Sequence, residues 1–408
     1  MTNFYNRNSR PQRGSRFSQS QRGGFSRGRS NNSGHGNQRT ERINPAKFIN
    51  KAVTVEEEKP FVPEHKFQDF AIDQGLLSNV LSKGYTLPTP IQDKIIPSVL
   101  KGSDVVGIAN TGTGKTAAFL IPLLNKVILN PRENILIITP TRELALQIQT
   151  ELKTFTRQMR IFSVCCVGGA SIFRQIGELR YNNNFIIGTP GRLKDLIERQ
   201  KINLAKFSTV VLDEADQMLD MGFINETRFI MGLMPKEKQV LFFSATFDPK
   251  IENLVREFLR NPVRVSVKTR DTAENIEQDV IRIQNGQTKT EVLHNLLAKK
   301  DEFKKVLVFG KTKHGVEKLS KVLVQKGFKA ESIHGNKSQG QRQRALNMFK
   351  ENRVQILVAT DVAARGLDIN NVSHIINYDL PATYDDYVHR IGRTGRGDKR
   401  GIALTFID

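Results

Sequence analysis

The chain has 408 residues, 38% hydrophobic and 25% charged, proportions of a globular protein with room for two or three domains. Its 62 Lys and Arg against 41 Asp and Glu leave a formal charge of +21, which favours a polyanionic partner, either nucleic acid or an anionic membrane surface. No apolar run approaches the ~18–20 residues of a membrane span, and Met1 to Arg7 hold no apolar stretch of a secretory signal.

The excess charge is concentrated at the start. Residues 1–52 carry eleven basic side chains and one acid, Glu41, a net of +10. Residues 1–62 are rich in Arg, Ser, Asn, Gln and Gly and poor in aliphatics, so they are expected to form a disordered Arg/Gly-rich tail. Its arginines, with Phe17 and Phe25 between them, could hold phosphates and stack on bases; a merely solubilising tail is the alternative. Pro60 and Pro63 mark the boundary with the folded part.

From about residue 64, short β-branched or aromatic runs alternate with longer amphipathic stretches. Such runs occur at 104–108, 134–138, 185–187, 209–212 and 239–243, and they are apolar on both faces, as in a parallel sheet covered by helices. The only cysteines, Cys165 and Cys166, are neighbours: they are poorly placed to bridge each other and too few for a zinc site, so they read as core of a strand in a reducing, cytosolic protein. The apolar pattern lapses at 268–275 and restarts with runs at 305–309, 355–358, 374–377 and 401–407. The expected organisation is an α/β protein: tail 1–62, first domain 63–267, linker 268–275 and second domain 276–408.

The string Ala109, Asn110, Thr111, Gly112, Thr113, Gly114, Lys115, Thr116 follows the run at 104–108 and precedes an apolar helix-like stretch. It fits the phosphate loop GxxxxGK[ST], with Ala109 in the first Gly position. Glycines let backbone N–H groups close on phosphates, Lys115 reaches the β/γ-phosphates, and the Thr116 hydroxyl ligates Mg²⁺. Asp213, Glu214, Ala215 and Asp216 close the run at 209–212. Beside a phosphate loop, Asp213 would hold Mg²⁺ and Glu214 would orient or deprotonate the attacking water. Arg390, Arg393 and Arg396 recur at spacing three, which places them on one face if the segment is helical.

Taken together, these strings make the chain over about 64–408 resemble the DEAD-box ATP-dependent RNA helicases, and the literal Asp-Glu-Ala-Asp separates it from DEAH and DExH relatives. The resemblance implies two RecA-like domains, each a mostly parallel sheet covered by helices, with ATP, Mg²⁺ and RNA as ligands. Residues 84–92 are similar to the family's Q motif. Gln92 is then implied to read the adenine edge and Phe67 to stack on the ring, although Phe67 taken alone reads as core. Arg393 and Arg396 are implied to be arginine fingers on the γ-phosphate, and Asp368 a ribose contact. Ser244, Thr246, Asp216 and His389 are implied to couple the ATP site to the opposite lobe. The implied RNA contacts are Pro140, Thr141, Arg142, Gly168, Gly169, Thr189, Pro190, Gly191 and Arg192 in the first lobe. In the second they are Phe309, Gly310, Gln339, Arg342 and Thr360. Most lie where a strand run meets a helix-like stretch, which suits backbone contacts and little sequence specificity. The implied protein is a cytoplasmic monomer that closes two lobes on ATP and RNA and separates short duplexes. Two other classes stay open: an ATP-gated RNA clamp or annealing protein, and a DNA helicase.

Overall fold

The computed structural model describes residues 48–49, 61–110, 112–267, 276–284, 286–299, 302–364, 369, 372–395 and 401–407. The expected linker 268–275 and most of the expected tail lie outside the described residues, as do Thr111, Asp368 and Arg396.

The first lobe runs α1 (Gln74–Ser82), α2 (Pro90–Leu100), β1 (Val105–Ala109), α3 (Lys115–Leu129), β2 (Ile135–Ile138), α4 (Arg142–Phe155), β3 (Ser163–Cys166), α5 (Ile172–Glu178), β4 (Phe185–Gly188), α6 (Pro190–Glu198), β5 (Thr209–Leu212), α7 (Ala215–Asp220), α8 (Ile224–Gly232), β6 (Gln239–Ser244), α9 (Pro249–Phe258) and β7 (Val263–Val267). Its strands form one sheet in the order β3-β4-β2-β5-β6-β1-β7, and every pairing is parallel. The second lobe runs β8 (Ile276–Arg282), α10 (Lys289–Leu297), β9 (Val306–Phe309), α11 (Lys313–Gln325), β10 (Ala330–Ile333), α12 (Gln339–Lys350), β11 (Ile356–Ala359), α13 (Asp361–Ala364), β12 (His374–Asn377), α14 (Tyr384–Ile391) and β13 (Gly401–Ile407). Its sheet has the order β10-β11-β9-β12-β13-β8, again parallel throughout.

Strand residues alternate between two cores, one on each face of a sheet. In β2, Ile135 and Ile137 join the core under α1–α4, while Leu136 and Ile138 join the core under α6–α9. In β9, Leu307 and Phe309 face α12 and α14, and Val306 and Val308 face α10 and α11. This two-sided burial is why the central strands are apolar without a break. Cys165 and Cys166 are both buried in β3, as expected, and burial pushes the Cys165 thiol up to about 12 and raises Cys166 as well.

The strands that no apolar run announces are β3, signalled only by its cysteines, β7, β8 and β10, and each sits at a sheet edge. An edge strand is covered on fewer sides, so its sequence carries charged or polar residues, as in the Val-Arg-Val-Ser-Val of β7. One residue of the expected tail belongs to the folded part. Phe48 is fully buried in the second-lobe core, with its ring centroid 4.7 Å from that of Tyr387.

Candidate active site and RNA track

All parallel strands of a sheet end on one edge, and the strand order sorts the sequence strings along it. In the first lobe, β5, β6 and β1 are consecutive, so residues 213–216, 244–246 and the phosphate loop lie side by side. The neighbouring strands β3, β4 and β2 bring together the segments at 168–169, 189–192 and 140–142. One half of the edge is suited to a nucleotide and the other carries the implied RNA track. This is the edge where open α/β sheets place their ligands.

The phosphate loop turns into α3 through Gly114, whose φ of +93° is left-handed and favours glycine. Helix α3 starts at Lys115 with its N–H groups facing the loop, as an anion site requires. The Lys115 ammonium is buried and donates to the Ala109 carbonyl at 2.9 Å. Thr113 donates its hydroxyl to the Asn110 carbonyl at 2.9 Å, which shapes the turn.

Gln92 and Thr89 hold this loop from α2. Gln92 Oε1 accepts from the Thr89 N–H at 2.9 Å, and Gln92 Nε2 donates to the Gly114 carbonyl at 3.1 Å. The Thr89 hydroxyl donates to the Thr113 carbonyl at 2.9 Å. The implied adenine reader is thus also a clamp on the phosphate loop. Phe67 is wholly inside the first-lobe core, packed edge-on against Phe70 and Tyr85. The neighbouring Asp93 has no sequence signal of its own. It is buried and accepts from the backbone N–H of Glu64 at 2.8 Å and of His65 at 3.2 Å, and its Oδ1 lies 2.7 Å from the His65 ring.

Asp213 and Glu214 are both buried. Burial raises Asp213 above the usual carboxylate range, while the Lys115 charge pulls it back. Glu214 is pushed up to about 7, first by burial and then by the Asp213 charge, against the lowering pull of Lys115 and of Arg393 from the second lobe. Glu214 sits at φ +54°, ψ +52°, a left-handed conformation that costs a non-glycine residue about 1 kcal/mol or more. Its Oε2 is buried without a hydrogen-bond partner. Asp216 Oδ2 accepts from the backbone N–H of Ala245 at 3.0 Å and Thr246 at 3.2 Å. The two strings are therefore wired to each other, and Ser244 is fully buried beside them.

The arginines of the second lobe divide. Helix α14 ends at Ile391, so Arg390 is helical and Arg393 lies beyond the C-terminus; they do not share one helix face, because the helix stops at Gly392 between them. Arg390 is structural. It grips the Asp361 carboxylate through two nitrogens at 2.5 and 2.8 Å and donates to the Asp379 carbonyl at 2.7 Å. Arg393 is buried, and its charge is felt by Glu214. His389, half-buried on α14, is in the last turn of the same helix.

Along the RNA half, Thr141 caps α4 by accepting from the Leu144 N–H at 3.3 Å. The Arg142 guanidinium packs against Gly168 and Gly169; a Cβ on Gly168 would lie 3.2 Å from it. Burial and the Arg342 charge lower the Arg142 pKa. Arg192 donates to the Ala170 carbonyl at 3.3 Å and to Gln175 Oε1 at 2.8 Å, so much of its guanidinium is held by the protein. Pro190 opens α6 and Gly191 is exposed behind it, while Thr189 makes no capping bond. In the second lobe, Gly310 and Thr360 follow β9 and β11, and Gln339 opens α12. Phe309 is a core residue under the Arg390 guanidinium, 5.0 Å away, so its ring is not available to a ligand. Arg342 reaches across to the first lobe: its Nη2 lies 2.9 Å from Glu143 Oε1, with both side chains buried.

Two parallel-sheet lobes, a phosphate loop with adjacent buried carboxylates, and an arginine of the second lobe acting on one of them define a two-lobed nucleoside triphosphatase. Residues 89–254 match the DEAD/DEAH box helicase family and residues 288–398 the helicase conserved C-terminal domain. The chain is 46% identical over 345 residues to the DEAD-box ATP-dependent RNA helicase CshA of Bacillus subtilis, covering 84% of this chain and 69% of that protein. It is 43% identical over 344 residues to CshA of Limosilactobacillus reuteri, with the same coverage. Among solved structures it is similar to Mss116p bound to ssRNA and AMP-PNP (TM-score 0.77, 29% identity, 88% of this chain and 77% of that one). It is also similar to S. cerevisiae Dbp5 bound to RNA and ADP BeF3 (TM-score 0.74, 30% identity, 84% and 89%). The chain belongs to the DEAD-box ATP-dependent RNA helicases, and its two sheets are RecA-like domains.

Proposed function

We propose that ATP binds at the first-lobe phosphate loop with Mg²⁺, that RNA lies across the strand ends of both lobes, and that closure of the lobes separates short duplexes locally. The lobes take residues 63–267 and 276–408, and the protein works as a cytoplasmic monomer. Among the described residues no helix is long and apolar enough to cross a membrane.

The residues present suit Mg²⁺. A hydroxyl and a carboxylate, Thr116 and Asp213, are hard oxygen donors, and Mg²⁺ is commonly held by one or two protein ligands together with substrate phosphates. When bound, it neutralises charge on the β- and γ-phosphate oxygens. The chain's own groups do the rest. Lys115 leaves the Ala109 carbonyl for phosphate oxygens, and Glu214 accepts a proton from the attacking water. Arg393 stabilises the charge that develops on the transferring phosphoryl group, and Arg396 assists it. Gln92 selects adenine, while Phe67, wholly inside the core, offers no free face to the ring; Asp368 holds the ribose, and Asp216, Ser244, Thr246 and His389 carry closure to the site. RNA is gripped through its backbone by the remaining residues of the track, since the Phe309 ring is core and Arg342 is buried against Glu143.

The observation that carries this reading is Glu214: a buried carboxyl near 7 with an unpartnered oxygen, acted on by Lys115 and by the arginine of the opposite lobe. Glu214→Gln should keep ATP and RNA binding while turnover falls by about 10²–10⁴. Undiminished hydrolysis removes Glu214 from the mechanism. Stimulation by single-stranded DNA equal to that by RNA would favour a DNA helicase.

A further inference from the structure

Phe48 precedes the first lobe in sequence, yet its ring is fully buried in the core of the second lobe. The ring centroid lies 4.7 Å from that of Tyr387, at an interplanar angle of 58°. Tyr387 is itself fully buried at the middle of α14, and its hydroxyl donates to Gln278 Oε1 of the edge strand β8 at 2.8 Å. Ile276, Gln278 and Val280 alternate along β8 and share one face, and Ile276 and Val280 belong to the same core as Phe48 and Tyr387. Phe48 therefore fills the corner where the edge strand meets α14.

That helix carries the second-lobe part of the active site. Its last turn holds Arg390 on Asp361, and the chain past its end stays tied to it: the Arg393 N–H donates to the Arg390 carbonyl at 3.2 Å, and the Thr394 N–H to the Ile391 carbonyl at 3.0 Å. A shift or roll of α14 is thus passed directly to Arg393.

We propose that Phe48 is a positioning residue: its ring, docked on Tyr387, fixes α14 and so sets where Arg393 stands relative to Glu214. The kinetic consequence rests on the active-site reading above, whereas the docking does not. A ring that only fills space would affect stability; one that positions an arginine acting in the transition state affects kcat with little change in KM for ATP.

The test uses the full 408-residue chain with Phe48→Ala, Phe48→Val and Phe48→Leu. Backbone hydrogen exchange across 384–391 should speed up by about tenfold in Phe48→Ala. RNA-stimulated kcat, measured well below the unfolding temperature, should fall by about tenfold with KM for ATP within about twofold. Phe48→Leu should recover most of both, and Phe48→Val should lie between. If the alanine variant does not fold, the valine variant carries the same comparison. Wild-type exchange in α14 overturns the docking, and faster exchange with unchanged kcat overturns the positioning role. A wild-type chain without RNA-stimulated turnover would instead defeat the active-site reading, with the exchange measurement still reporting on the docking.

Discussion

Glu214 holds a strained backbone and a buried, partly unpartnered carboxyl at the same position. Neither feature helps the fold. The left-handed φ turns the chain off the end of β5, and burial beside Asp213 lifts the carboxyl to about 7. A general base must be ionised, so kcat/KM for ATP should rise with pH and level off above about 7, and Glu214→Gln should flatten that limb. Stability runs the other way. The folded-state carboxyl titrates above its ordinary value of 4.5, so its contribution is fully present below that value and is lost as pH rises through about 7. Glu214→Gln should therefore be more stable than the wild type at about pH 8 and nearly equal to it at about pH 4, read from denaturant midpoints. Equal midpoints at both pH values would show that the carboxyl is not held in its neutral form by the fold.

Helix α2 acts as a bracket between the nucleotide loop and the segment ahead of it. From one turn, Thr89 and Gln92 hold carbonyls of the phosphate loop, and Asp93 holds the N–H groups of Glu64 and His65. Gln92→Ala removes the Gly114 anchor and leaves the Thr89 N–H without its partner, a loss of about 1–3 kcal/mol. KM for ATP should rise by about 5- to 150-fold, and an unchanged KM would sink the bracket. Much of this site was legible because its strings are contiguous: a phosphate loop needs its glycines, lysine and threonine in one stretch. The central strands were legible because burial on both faces leaves an unbroken apolar run. The edge strands β7, β8 and β10 have no such run. Asp93, the Asp361 grip on Arg390 and the docking of Phe48 join residues distant in sequence, and no local spacing announces them. The spacing of the three arginines suggested one helix face, but the stop at Gly392 divides them.

At the scale of the whole molecule, two features lead to predictions about how the lobes engage RNA. Arg342 and Glu143 form a buried pair between the lobes. Glu143→Gln leaves Arg342 buried without its counter-charge, so closure should weaken by up to about 3 kcal/mol, seen as loss of RNA-stimulated turnover. Replacing both, as Glu143→Gln with Arg342→Met, should recover part of that loss, because the uncompensated charge is gone. The second feature is the basic N-terminal segment. Residues 1–41 hold eight arginines against Glu41, a net of +7. Each phosphate contact on single-stranded RNA contributes about 0.7 to the slope of log affinity against log salt. Deleting residues 1–41 keeps Phe48 in place, so the active site should retain its kcat at saturating RNA. RNA affinity at low salt should fall, and the salt slope should shrink by up to about 6 if every arginine meets a phosphate. A slope identical to that of the full chain would show that the segment does not touch RNA, and the charge that first pointed to nucleic acid would then belong to the two lobes alone.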